Sequence, residues 1–140
     1  MLTGEYRHIV DGKKRLSIPA KFREELGKDV VVARDIRGKR LKLFSVAGWQ
    51  SYIEPLMNQE RRISEKAVRF LHRNASQMSI DNQGRILLSD SLMEYADIKE
   101  DVVIIGCNSY AEIWSAQLYS VEIDNEDREE ICRELEEFGL

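Results

Sequence analysis

Laid on itself at an offset of 70 residues, the chain repeats one pattern of turn and strand chemistry. Asp11-Gly12-Lys13-Lys14-Arg15-Leu16-Ser17-Ile18 faces Asp81-Asn82-Gln83-Gly84-Arg85-Ile86-Leu87-Leu88. The register continues through Phe22 on Leu92 and Glu24 on Glu94. It reappears where Leu43-Phe44-Ser45 meets Ile113-Trp114-Ser115, after a two-residue deletion in the second copy. An internal repeat of this kind restricts the fold to two similar units placed together. At 140 residues, 43% of them hydrophobic, the chain can bury one respectable core or two small ones that share an interface.

Each copy reads as a short strand, a tight turn, a second strand, one short helix and two more strands, so the fold class is α+β and mostly β. In the first copy, strands over residues 6–10 and 16–18 flank the turn at 11–15. Pro19 suits a helix start, Phe22 and Leu26 share one helical face, and Gly27 supplies the stop. Residues 30–33 are too apolar for the surface, and the turn at 35–39 folds them back onto 41–44 as a β-hairpin. The second copy starts its helix with Ser89 and repeats the buried strand over 102–105. An amphipathic helical segment follows each copy: Trp49, Ile53 and Leu56, with Pro55 as a bend, and then Leu118 with Val121. A helix over residues 59–72, with Ile63, Ala67, Phe70 and Leu71 on one face, links the copies without a Gly or Ser-rich linker, so the halves should pack as one body. A last helix over 126–138 carries Ile131, Leu135 and Phe138 on one stripe among acids, regular enough to fold on its own body, where it caps the core or binds a neighbouring subunit. The division is a first repeat (1–58), a linking helix (59–75), a second repeat (76–123) and an acidic C-terminal helix (124–140).

The net charge of −4 hides a segregation. Residues 1–50 carry 12 Lys and Arg against 6 Asp and Glu, residues 51–100 carry 7 against 8, and residues 101–140 carry 2 against 11. Any nucleic acid should therefore meet the N-terminal half, since the acidic tail repels phosphate. No apolar run approaches a membrane span and no secretory leader is evident, which points to the cytoplasm. Cys107 and Cys132 lack the spacing of a disulfide framework or zinc site, and Cys107 reads as a core residue. Only His8 and His72 are present, with no nucleotide fingerprint or metal-binding helix motif, so the reading is of a non-enzyme without metal or cofactor.

The D-x-x-x-R spacing places a carboxylate and a guanidinium across a turn. For Asp81 and Arg85 alone, a turn-bracing pair is explanation enough. The first copy differs because Lys13, Lys14 and Arg15 crowd one turn, with Arg7, Lys21 and Arg23 nearby in sequence. Phosphates reward such clusters, and an arginine fork matches the O6 and N7 acceptors of guanine. Lys13 and Lys14 suit phosphates, and Arg15 suits a base, with Asp11 holding its fork. A second basic loop, Arg34, Arg37, Lys39 and Arg40, reads as solvated charge.

Gly4-Glu5-Tyr6, the run from Asp11 to Arg15, Ser17-Ile18-Pro19-Ala20-Lys21-Phe22-Arg23, Asp81-Asn82-Gln83-Gly84-Arg85 and Ile113-Trp114-Ser115 together resemble the MraZ family over essentially the whole chain. The resemblance implies an AbrB/SpoVT-like double swapped-hairpin barrel built from two tandem copies, with peripheral helices. It further implies a nucleoid-associated transcriptional regulator, usually a repressor, at the promoter of the division and cell-wall gene cluster. Such proteins resemble ring-shaped homo-oligomers set against short tandem G-rich repeats in double-stranded DNA. The candidate DNA-contacting residues are Asp11, Lys13, Lys14, Arg15 and Arg85, and the charge segregation along the chain makes the first turn the binding one while the second chiefly braces the ring. The alternative is an AbrB-like protein-binding module such as an antitoxin. One departure is Lys14, where the family and the second copy (Gly84) have glycine. If the position needs positive φ, Lys14 is strained there, unless Gly12 shifts the turn.

Overall fold

The tight turn at residues 11–15 uses its hydrogen bonds internally. Asp11 N–H donates to the Arg15 carbonyl (3.0 Å) and Lys14 N–H to the Asp11 carbonyl (2.9 Å), and the turn at 81–85 repeats both bonds at 2.8 and 3.0 Å. The strands on either side therefore need partners elsewhere, and each finds them in the other copy. A computed structural model describes residues 1–57 and 64–140. Its order is β1 (Glu5–Ile9), β2 (Arg15–Ser17), α1 (Ala20–Leu26), β3 (Asp29–Arg34), β4 (Leu41–Ser45), α2 (Val46–Met57), α3 (Glu65–Arg73), β5 (Ala75–Ser79), β6 (Arg85–Leu87), α4 (Asp90–Tyr95), β7 (Asp101–Gly106), β8 (Ala111–Ser115), α5 (Ala116–Asp124) and α6 (Arg128–Glu137).

The strands form a six-stranded sheet in the order β1-β7-β8-β4-β3-β5 and a separate two-stranded ribbon, β2-β6. Every pairing is antiparallel. First-copy β1 lies on second-copy β7, second-copy β5 lies on first-copy β3, and the ribbon takes one strand from each. The larger sheet is open, with β1 and β5 as its edges, rather than the closed barrel that the resemblance implied. The 30–33 and 41–44 hairpin forms as expected, as β3 and β4. Strands β3 and β7 are 72 residues apart while β4 and β8 are 70 apart, so the second copy gains two residues before β7 and loses two from its hairpin.

One core results. It contains Val10 and Ile80, Leu16 and Ile86, Ile18 and Leu88, Phe22 and Leu92, Val30 and Val102, Val32 and Ile104, and Leu43 and Ile113, each pair drawn from equivalent positions of the two copies. This main core belongs to neither copy alone, because each lends strands to the other. Val31, Ala33, Phe44 and Trp49 form a smaller cluster beneath α2, with Trp49 set edge-on to His72 of α3. Gly27 ends α1 at φ 77°, and the Ser89 hydroxyl caps α4 by accepting from Leu92 N–H.

The last helix departs from expectation. Every residue from 121 to 140 is exposed, and Ile131, Leu135 and Phe138 are 39%, 43% and 81% accessible. The stripe therefore does not cap the core, and Val121 likewise faces outward. The Asp127 carboxylate starts α6 by accepting from the Glu129 and Glu130 N–H groups, so local capping and periodicity make this helix without tertiary support. Of the linking helix, residues 59–63, Ile63 among them, lie outside the described residues. Ala67 and Leu71 are half-buried on α3, whereas Phe70 is exposed. Cys107 is half-buried rather than a core residue, its thiol pushed up by burial. Among the described residues, no helix is long and apolar enough to cross a membrane.

Candidate nucleic-acid interface

The two D-x-x-x-R turns are built alike. Asp11 Oδ1 accepts from the N–H groups of Lys13 and Arg15, both at 2.9 Å, and Asp11 Oδ2 accepts from Arg15 Nε at 2.8 Å. Asp81 repeats the set with Gln83 N–H, Arg85 N–H and Arg85 Nε, each at 2.9 Å. Both carboxyls lie below the usual carboxylate range, chiefly because the arginine backbone N–H donates to the ionised form. Nε is thereby occupied, while Nη1 and Nη2 of each arginine form no hydrogen bond among the described residues. That is the end of the guanidinium that can grip a two-acceptor edge.

A turn closed this way ends on a residue in the left-handed region. Gly84 takes it at φ 79° and Lys14 at φ 62°. Gly12 has no positive φ, so it does not shift the turn, and Lys14 adopts the conformation that glycine adopts in the second copy. The Lys14 ammonium pairs with Asp90 at the start of α4.

Because β2 and β6 are antiparallel, the turns stand at opposite ends of the ribbon. Arg15 lies opposite Leu87, Leu16 opposite Ile86, and Ser17 opposite Arg85. Alternation sends Leu16 and Ile86 into the core and leaves Arg15, Ser17, Arg85 and Leu87 on the outward face. Both arginines thus share one surface, at its two diagonal corners. Leu87 stands there 62% exposed, without a structural partner to explain it.

The strand exchange redistributes charge. Arg23 on α1 does not join the first turn. It lies over the second, so close that a Cβ on Gly84 would come within 2.0 Å of Arg23 Nη1. Its equivalent in the second copy is Met93, so the first turn receives no such cation. Lys21 and Arg23 line a groove with Ser17 and Gln83 beside the second turn. Arg7 faces the other way, towards Gln117 and Ser120 of α5. The second basic loop is not simply solvated either. Arg40 Nε donates to the buried Asp35 Oδ2 at 2.6 Å, sits 3.3 Å from Glu112 Oε2, and stacks 4.9 Å over Trp114. Arg34 Nη1 donates to Asn74 Oδ1 at 3.2 Å, and its Nη2 to Ser91. Only Arg37 and Lys39 of that loop remain exposed.

Periodicity placed Arg15 and Arg85 at their turns, but the outward position of Leu87 and Ser17 follows from the ribbon pairing, and the placement of Arg23 from the exchange. A two-residue alternation across Arg85-Ile86-Leu87 was the available signal for Leu87. Nothing in the sequence assigned Arg23 to the second turn.

The family model described as "MraZ protein, putative antitoxin-like" matches twice, over residues 1–74 and 71–135. A protein from Clostridium tetani named "Transcriptional regulator MraZ" is 38% identical over the whole of both chains. Relatives of the same name from Caldicellulosiruptor saccharolyticus and Moorella thermoacetica are 36% identical over the whole of both chains and 38% identical over 96% of this chain and 88% of theirs.

Proposed function

Because the chain belongs to the MraZ family, we propose that it is a transcriptional regulator that reads double-stranded DNA with the β2–β6 ribbon. The observation that carries this reading is the outward ribbon face, where carboxylates hold the Nε atoms of two part-exposed arginines whose Nη groups form no hydrogen bond among the described residues. A two-stranded ribbon fits the major groove, and a guanidinium held in this manner matches guanine O6 and N7. Two residues of strand rise and one strand spacing put the Arg15 and Arg85 Cα atoms about 8 Å apart. At roughly 3.4 Å per base step, the pair would reach bases two to three steps apart. Lys13 and Lys14 of the first turn would meet flanking phosphates.

Tandem G-rich repeats suit a reader with two guanine-directed forks, and repression there is the regulatory outcome we propose. Self-association into a ring would add avidity across several repeats. The unpartnered apolar residues of α5 and α6 support such assembly, since exposed apolar groups gathered on one segment favour a partner. The exchanged pairing of the two copies supports placing the architecture in the swapped-hairpin class.

The test is a titration against tandem G-rich duplex and a scrambled duplex. Arg15→Ala and Arg85→Ala should each lose about 10- to 100-fold in discrimination, as expected for a lost bidentate contact. A double variant that binds as tightly and selectively as the parent refutes the reading. So does a parent that binds no duplex at low salt, and the ribbon would then be a protein-docking surface.

A further inference from the structure

The first turn has the longer run of cations in sequence, yet its charges are largely satisfied in space. Arg15 pairs with Asp11, and Lys14 pairs with Asp90, leaving Lys13. At the second turn, Arg85 pairs with Asp81, but Lys21 and Arg23 form no ion pair among the described residues. Arg23 Nε is buried with no hydrogen-bond partner among the described residues. A buried guanidinium donor without a partner carries a desolvation cost that an anion reaching it would relieve, and the exposed Lys21 ammonium lining the same groove adds a second positive charge. The groove they line, about 440 Å³, runs between α1 and the second turn and opens beside the ribbon's Ser17 corner. Among the described residues, no carboxylate lines it.

We propose that this groove is a backbone-phosphate site, in which Lys21 and Arg23 of the first copy neutralise phosphates that flank the base facing Arg85. The inference rests on the DNA reading above and extends it. It adds phosphate contacts to the base contact at the second turn, an end of the ribbon that charge summed along the chain assigns no cation besides Arg85. Both ends of the ribbon would then carry one guanine-directed arginine with unpaired cations beside it, Lys13 at the first turn and Lys21 and Arg23 at the second.

Counterion release distinguishes this from a purely structural role. Each phosphate contact contributes about 0.9 to the slope of log affinity against log salt. Full-length parent, Lys21→Gln and the double variant Lys21→Gln/Arg23→Met would be titrated with G-rich and scrambled duplexes from roughly 50 to 200 mM salt. Lys21→Gln should lower the slope by about 0.9 and the double variant by about 1.8 on both duplexes, with the selectivity ratio unchanged. Met copies the second-copy residue at the Arg23 position, and Lys21 is exposed, so the single variant decides alone if the double variant melts early. A parental slope in Lys21→Gln, or lost selectivity at unchanged slope, overturns the proposal while leaving the ribbon reading intact. A parent that binds no duplex overturns both.

Discussion

Gly84→Ala probes the feature on which the second turn depends. Gly84 sits at φ 79°, where a residue with a Cβ pays about 1–2 kcal/mol. Ala recovers about 0.4–1 kcal/mol of that by narrowing the unfolded ensemble. The new Cβ would also fall 2.0 Å from Arg23 Nη1 and 2.6 Å from Arg23 Cζ, so the guanidinium must leave the turn. That side chain is flexible, and its displacement brings the total cost to about 1–2 kcal/mol, within the range of a strained backbone position. At about 2.1 cal/mol/K of unfolding entropy per residue, 140 residues give roughly 0.3 kcal/mol/K, so the melting midpoint should fall by about 3–7 °C. Lys14→Gly is the matched experiment. It relieves a similar strain at φ 62° but adds unfolded-state entropy and removes the exposed Lys14–Asp90 pair, so the net change should stay within about 1 kcal/mol of zero. Thermal melts followed by circular dichroism, at matched protein concentration, compare the two. A neutral Gly84→Ala, or a Lys14→Gly loss as large as that of Gly84→Ala, would refute the equivalence of the two turns.

Asp35→Ala should lower the melting midpoint by roughly 7 °C, corresponding to about 2 kcal/mol, because it strips the buried acceptor of Arg37 N–H and Arg40 Nε while Glu112 still holds Arg40; an unchanged midpoint would contradict the buried role. Leu135→Asp on α6 should reduce the assembled mass measured by light scattering without shifting far-UV circular dichroism, since the residue is 43% exposed, and an unchanged mass would remove α6 from the interface. The folded-state carboxyls of Asp11 and Asp81 titrate below the ordinary value of 3.8, so the turn stabilisation they give is complete above that value and fades as pH falls through the folded one. The amide resonances of Arg15 and Arg85 should accordingly hold still from neutral pH down to about 4, and a titration step within that range would contradict the hydrogen-bond geometry.

Much was legible in one dimension because it is local or periodic. The 70-residue repeat, Phe22 and Leu26 on one helical face, Gly27 as a stop, the apolar run from Val30 to Ala33 and the Asp11–Arg15 pairing all depend on residues close in sequence, and each appears in the structure. A carboxylate four residues before an arginine closes the same turn whatever the next strand pairs with, so its chemistry survives without knowledge of the fold. The periodic stripe on α6 was legible too, but periodicity reports which residues share a face and not what that face meets. In this structure it meets solvent.

What the chain alone determined, then, is the set of local units and their duplication; what only the tertiary structure decided is which copy completes which. The turns satisfy their own backbone groups, so their flanking strands are indifferent to whether a partner comes from the same copy or the other, and burial of a single shared core selects the exchange. The exchange carries Arg23 from the basic first copy to Gly84 of the second and sets Asp90 against Lys14, so charge summed along the sequence does not describe charge in space. Coulomb interaction depends on distance, and a turn 60 residues away in sequence is nearer to Arg23 than the first turn that precedes it in the chain.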